Sequence, residues 1–187
     1  MAIVATLVIG QDGSTSLYGN SEAITSPIDH ERFLARRRVS DCLIIGGNTA
    51  RSERYNRTPV PVIILSHSQP SVLAQNPRAL WWNLNPMAAI KKAQGEIGEN
   101  ILIEGGLSLI LQLLKERAID SLELSITTAK GGENRIEREE LLKYFSQITE
   151  SEIEDTQFFS CSLPFPLANE KLLGRNNGNP EQGQENS

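Results

Sequence analysis

The segment Ile101-Leu102-Ile103-Glu104-Gly105-Gly106, followed by the apolar-periodic run Leu107 to Leu114, constrains the fold more than any other stretch of the chain. It reads as a short buried strand, a carboxylate at the strand's end, two glycines and then a helix. Such a junction leaves unpaired backbone N–H groups at a helix N-terminus, where the dipole favours an anion. Glycine also lets the backbone approach a phosphate closely. A second unit of the same design lies upstream, where Cys42-Leu43-Ile44-Ile45 runs into Gly46-Gly47-Asn48-Thr49. Neither turn is a GxGxxG or a Walker loop, and either one alone can be a simple tight turn before a helix. Two of them predict an open α/β sheet holding an extended phosphorylated ligand such as a dinucleotide, with Gly47, Gly105 and Gly106 against it.

The bulk properties fit that expectation. A chain of 187 residues has the length for one domain with a substantial core. The domain is read over residues 1–168. From residue 169 the sequence is mostly Asn, Glu, Gln, Gly and Pro, and 169–187 is expected to be a disordered tail. A net charge of −5 argues against a general nucleic-acid or membrane-surface binder. The N-terminal apolar run Met1 to Ile9 is too short to span a bilayer and lacks a basic leader, so it reads as a first strand. Only two cysteines occur, Cys42 and Cys161, which suits a reducing cytoplasm better than a disulfide framework.

Local signals order the rest. Gly10-Gln11-Asp12-Gly13 ends the first strand. Ser26-Pro27 starts a helix that runs to about Val39, with Ile28, Phe33 and Leu34 as its apolar positions and Arg36, Arg37 and Arg38 in its last turn. Strands are expected near Asp41 to Ile45, Val60 to Leu65 and Ala79 to Trp82, with Pro61 at a strand's edge or entry. Pro86 opens a helix with Met87, Ile90 and Ala93 on one face, and the Leu107 helix repeats at Leu107, Ile110, Leu111 and Leu114. Asp120 to Thr127 alternates as a half-buried strand, Glu139 to Phe145 is a helical turn, and Ile148 to Phe159 supplies one or two antiparallel strands. Strands that alternate with helices early and follow one another late give a mostly parallel sheet with an antiparallel C-terminal edge.

Within that frame the chemistry-bearing residues are few. Glu104, at the carboxyl end of a parallel strand, faces the crevice where ligands bind in open α/β sheets. There it can hydrogen-bond a heterocycle or help protonate a reducible imine, or it can cap the following helix. Asp12 is a second carboxylate near a strand's end, or a turn residue. Thr49 sits where a helix N-terminus would meet a pyrophosphate, or is a simple N-cap. Arg38, Arg51, Arg54 and Arg57 can clamp phosphates or be merely solvated. Ser66 and Ser68 after the third strand can meet an adenosine phosphate or form a turn. Trp81 and Trp82 point to opposite faces of a strand, and no catalytic role is expected of them. His30 and His67 have no partner at metal-ligand spacing, so no metal site is expected.

Taken in order, several of these pieces resemble the reductase domain of riboflavin biosynthesis, which has a dihydrofolate-reductase-like fold. They are Asp12-Gly13, Ile24-Thr25-Ser26-Pro27, Arg38-Val39-Ser40-Asp41, Gly46-Gly47-Asn48-Thr49-Ala50-Arg51-Ser52-Glu53, Ile103-Glu104-Gly105-Gly106 and Asp120 to Thr128 with Gly131-Gly132. The resemblance spans roughly residues 3 to 160. It implies a three-layer α/β sandwich and NADPH-dependent reduction of a ribosylamino-pyrimidinone 5′-phosphate to its ribitylamino form. It places Thr49, Glu53, Ser66 and the Gly105-Gly106 turn against the cofactor. It places Ser26, Arg38, Arg57 and Glu104, with Asp12 beside them, near the phosphorylated pyrimidine. It also implies a homodimer. The chain departs from the family pattern at Glu53, where aspartate is usual, and at Ala23, where an aromatic residue often stands. No deaminase domain precedes the reductase, so another protein is expected to perform any deamination. A reductase of the same fold acting on a pterin, and a non-catalytic nucleotide-binding module, are the alternatives.

Overall fold

The computed structural model describes residues 2–166, so the expected tail at 169–187 lies outside the described residues. The chain forms β1 (Ala2–Gly10), α1 (Pro27–Val39), β2 (Cys42–Gly46), α2 (Gly47–Ser52), β3 (Val62–Leu65), β4 (Ala79–Trp82), α3 (Pro86–Glu96), β5 (Asn100–Ile103), α4 (Leu107–Lys115), β6 (Ser121–Thr127), α5 (Arg138–Leu142), β7 (Phe145–Ile153) and β8 (Thr156–Pro164). One eight-stranded sheet runs in the order β4-β3-β2-β5-β1-β6-β8-β7. All pairings are parallel as far as β6. β8 is antiparallel to β6 and β7 is antiparallel to β8. Pro61 stands just before β3, and its carbonyl accepts the Leu43 N–H, so the proline marks a strand entry without costing a ladder bond.

Alternation along the central strands sorts side chains to two faces. Ile101 and Ile103 of β5, with Ile44, Ile63, Ile3 and Ala5, meet α3 and α4. Leu109, Ile110, Leu113 and Leu114 of α4 are buried there. Each such side chain contributes about 1.5–3 kcal/mol on burial. Leu43, Ile45, Val62, Ile64 and Leu102 point the other way and pack with Ala50, Tyr55 and Val72. The α3 stripe is rotated from the expected one: Ala89, Ile90 and Ala93 are buried, whereas Met87 lies exposed where the helix begins at the sheet margin.

Helix α1 covers the second face through polar rather than apolar contacts. Its fully buried residues are Asp29 and Arg37. Arg36 reaches Thr6 Oγ1 on β1 and Glu123 Oε2 on β6, each at 3.2 Å. Arg32 stacks its guanidinium over Phe158 of β8 at 4.1 Å. Ser125 and Thr127 are buried on this face and Leu122, Leu124 and Ile126 on the other, so β6 is closed on both faces toward its end rather than half-buried. At the edges β4 leaves Leu80 and Trp81 exposed, while Trp82 packs against the core with Lys92 Nζ 4.7 Å from its ring.

Candidate active site

The two glycine turns lie side by side at the carboxyl ends of neighbouring strands β2 and β5. The Gly46 N–H donates to the Gly105 carbonyl at 3.0 Å, and the Glu104 N–H donates to the Ile44 carbonyl at 3.1 Å. A side chain on Gly106 would stand 3.2 Å from Thr49 Oγ1, and one on Gly47 would collide with Ser66 Cβ at 2.6 Å. Gly105 has φ +107°, a conformation that glycine alone adopts readily, and its peptide to Gly106 is cis. Gly47, Thr49, Ser66, Gly105 and Gly106 therefore share one rim.

Helix starts divide into two kinds. Ser26 accepts the Asp29 N–H and caps α1, and Asn85 accepts the Ala88 N–H and caps α3. α2 and α4 begin at Gly46 and Gly106 with no side-chain cap. The two helices that start at the rim thus leave their first N–H groups to solvent or an anion, as does the short α5 away from it, whereas α1 and α3 are capped by side chains.

The rim opens into a cleft of about 1450 Å³ that α1, β1, the glycine turns and the loop after β3 enclose. On its floor Glu104 meets Arg37 in a two-pronged pair: Arg37 Nε donates to Oε1 at 2.7 Å and Nη2 to Oε2 at 2.6 Å. The Tyr55 hydroxyl donates to Oε2 at 2.8 Å. The Arg37 and Glu104 side chains are 8% and 0% exposed. Burial lowers the Arg37 pKa, but the Glu104 carboxylate more than reverses this and leaves the guanidinium firmly charged. Burial and the adjacent carboxylate push the Tyr55 phenol well above its ordinary value, so it stays a donor. Phe33 stacks on Arg37 at 4.3 Å. The bonds from Arg37 to Glu104 run through Nε and Nη2.

Asp29 also lines the cleft and is buried, but it has no ion pair among the described residues. Burial raises its pKa, against a hydrogen bond from Ser125 and the weaker pull of Arg36, His30 and Arg32.

Of the residues singled out in the sequence, Gly47, Thr49, Glu53, Ser66, Glu104, Gly105, Gly106 and Ser26 line this cleft. Glu53 accepts the Ser21 N–H at 2.7 Å and fixes the loop before α1. Ser26 caps α1 and takes a hydrogen bond from Thr156 at 2.8 Å. Arg51 and Arg54 stand on the rim. Arg38 and Arg57 are exposed and lie away from it. Asp12 is placed outside the cleft too. It accepts from Ser14 and from the Gly131 N–H, bonds that hold its carboxyl down at about 2, and it pairs with Arg135 at 3.1 Å.

The cleft residues that sequence reasoning passed over are Asp29, Arg37 and Tyr55. Asp29, Phe33 and Arg37 recur at four-residue spacing and all line the cleft, a stripe visible in the sequence once charged residues are admitted to a helix's inner face. Both cysteines are buried, which pushes each thiol up to about 11, out of nucleophile range. No group of three or more His, Cys, Asp or Glu among the described residues could hold a metal. No described helix is long and apolar enough to cross a membrane.

The sheet is open, and the crevice lies at the carboxyl ends of β2 and β5, the place where ligands bind in open α/β sheets. The chain matches the RibD C-terminal domain over residues 2–145 and belongs to that family. Solved structures agree on the fold. The diaminohydroxyphosphoribosylaminopyrimidine deaminase/5-amino-6-(5-phosphoribosylamino)uracil reductase of Thermotoga maritima matches 88% of this chain with a TM-score of 0.65 at 15% identity. This chain spans only 56% of that protein. A putative riboflavin biosynthesis protein of Shewanella sp. PV-4 (TM-score 0.63, 17% identity) is covered over 98% of its length, matching 87% of this chain. A pyrimidine reductase-like protein of Corynebacterium diphtheriae (TM-score 0.63, 16% identity) is covered over 92%, matching 88%. No curated protein matches the sequence.

Proposed function

We propose that this chain is an NADPH-dependent reductase that converts a ribosylamino-pyrimidinone 5′-phosphate to its ribitylamino form. The observation that carries the reading is the pair of adjacent, uncapped glycine turns that open on a cleft with a buried arginine on its floor. The family and the named activity of the Thermotoga relative support it. The residues present fit the cofactor. Gly47, Thr49, Ser66, Gly105 and Gly106 would hold its diphosphate, since the helices that start at the two turns have no side-chain cap and nothing of the described protein lies within 4 Å of where a side chain on Gly105 would stand. NADPH, when bound, supplies the hydride. The chain's own work is to bind, orient and keep charge in place. Glu104 is spent on Arg37 and Tyr55, so it serves by holding the guanidinium still for a substrate oxygen. Arg51 and Arg54 on the rim are placed for phosphate groups. A regulatory module that only bound nucleotide would not need a buried charged pair on the cleft floor.

The test is loss of the near-ultraviolet absorbance of NADPH on addition of the ribosylamino-pyrimidinone 5′-phosphate, with NADH run beside it. Steady oxidation of NADPH in preference to NADH is expected. A protein that binds NADPH and leaves it unoxidised would remove the enzymatic reading. The reading carries a cytoplasmic homodimer with it, and sedimentation of the purified chain checks the dimer.

A further inference from the structure

We infer that Asp29 is the proton donor of this cleft, its carboxylic acid presented to the substrate nitrogen from the wall that also carries Arg37. The inference rests on the reductase reading above. Reduction of the open-chain imine of a ribosylamine needs two deliveries. The C–H bond of the dihydronicotinamide breaks and its electron pair forms a new C–H bond at the imine carbon. The C=N π pair moves to nitrogen and takes a proton there, leaving oxidised cofactor and a secondary amine. A protein carboxylic acid on the cleft wall can supply that proton in place of water.

Four carboxyl groups line the cleft: Glu22 is exposed and pairs with Arg54, Glu53 accepts the Ser21 N–H, and the two buried ones, Glu104 and Asp29, differ in their partners. Both Glu104 oxygens are occupied, by Arg37 Nε, Arg37 Nη2 and the Tyr55 hydroxyl, and a carboxylate so paired has no proton to give. Asp29 lies on the same cleft wall, one helical turn before Phe33 and two before Arg37, so its carboxyl shares the face that carries the guanidinium. It is buried and forms no ion pair among the described residues. On its own helix Arg36 is bonded to Glu123 and Thr6, Arg32 lies over the Phe158 ring with its buried Nη1 unpartnered among the described residues, and His30 is exposed; all three pull the Asp29 carboxyl down, but by less than burial raises it. The groups of β1 and β6 that face this side of α1 around it, Thr6 and Ser125, are uncharged, and Glu123 is satisfied by Arg36 and Ser160. A lone carboxyl in such a place keeps its proton to higher pH than an ordinary aspartate, the direction in which burial moves it.

A purely structural part is the competing account, because an acid in the first turn of α1 also suits the helix dipole. The experiment separates them. In the ligand-free protein with 13C-labelled aspartate carboxyls, Asp29→Asn identifies the Asp29 signal, which is expected to titrate clearly above the others. In turnover with NADPH and the ribosylamino-pyrimidinone 5′-phosphate, wild-type kcat is expected to fall as pH rises through that midpoint. Asp29→Asn should lose about 100-fold in kcat and the pH dependence with it, while NADPH affinity and melting temperature change little. Ser125→Ala keeps the carboxyl but removes a bond that favours its charged form, so both the titration and the fall in kcat should move to higher pH. A carboxyl that titrates with the ordinary aspartates overturns the inference, as does an Asp29→Asn protein that keeps its rate and pH profile. An Asp29→Asn protein that fails to fold leaves the Ser125→Ala shift to decide, and an unmoved profile there overturns it. A wild type that never oxidises NADPH overturns the reductase reading and takes the proton role with it, whatever the carboxyl titration shows.

Discussion

Two buried carboxylates share the cleft and are held in opposite ways. Glu104, at the end of β5, is gripped by a guanidinium and a phenol, so both of its oxygens are taken. Asp29, in the first turn of α1, has a hydroxyl for company and answers burial by holding on to its proton. The contrast teaches that burial alone does not set a carboxylate's part in a site. A buried charge survives where a partner offsets its lost hydration, and where none is present the group neutralises instead. One of these residues is therefore fixed scaffolding for a cation, and the other is free to exchange a proton.

The comparison is broken most severely at the pair itself. Glu104→Gln leaves Arg37 charged and unmatched in the floor, and urea unfolding should show a loss of about 3–5 kcal/mol. The double change Arg37→Met with Glu104→Leu should cost far less than the two single changes summed. Simple additivity would mean the two groups do not act as a unit. Tyr55→Phe removes one donor from Glu104 and should cost about 1–2 kcal/mol, while a neutral result would place water in the phenol's stead. At Asp29 the sign reverses. The folded carboxyl keeps its proton to a higher pH than the unfolded one, so the folded state binds more protons from an ordinary aspartate value of 3.8 upward to its own raised value. Wild-type stability thus declines as pH rises across that window, and Asp29→Asn should lack the decline. Parallel curves for the two proteins would make Asp29 an ordinary solvated acid. The smallest effect belongs to Arg38→Ala, an exposed neighbour of Arg37, which should move stability by less than about 0.5 kcal/mol.

Much of the frame was legible in the sequence because its signals are local. A β-branched run ending in two glycines announces both the strand and the uncapped helix after it, and it did so twice, at Gly46-Gly47 and Gly105-Gly106. The order of strands then placed Glu104 in a crevice. What stayed hidden depends on helix phase and on distant partners. α1 was read by its apolar residues Ile28, Phe33 and Leu34, but it seats itself on polar groups of β1, β6 and β8, so its inner face includes Asp29 and Arg37. One residue of phase, about 100° around the axis, separates the arginine in the cleft from Arg38 outside it. Asp12 offered a carboxylate near a strand's end, but its partners Gly131 and Arg135 lie far along the chain and make it a clasp between loops. Tyr55 follows α2 with no periodic signal at all, and only the fold brings it to Glu104.

The hydroxyl contact from Thr156 to Ser26 joins the first residue of β8 to the cap of α1. Synthesis on the ribosome runs from the N-terminus, so Asp29 and Arg37 emerge more than a hundred residues before the strand that helps to seat their helix. β8 also supplies the outer neighbour of β6, and the family match ends at residue 145, the first residue of β7 and well ahead of β8. A nascent chain cut or stalled at that boundary would carry every cleft residue named here and still lack the brace that sets them in place.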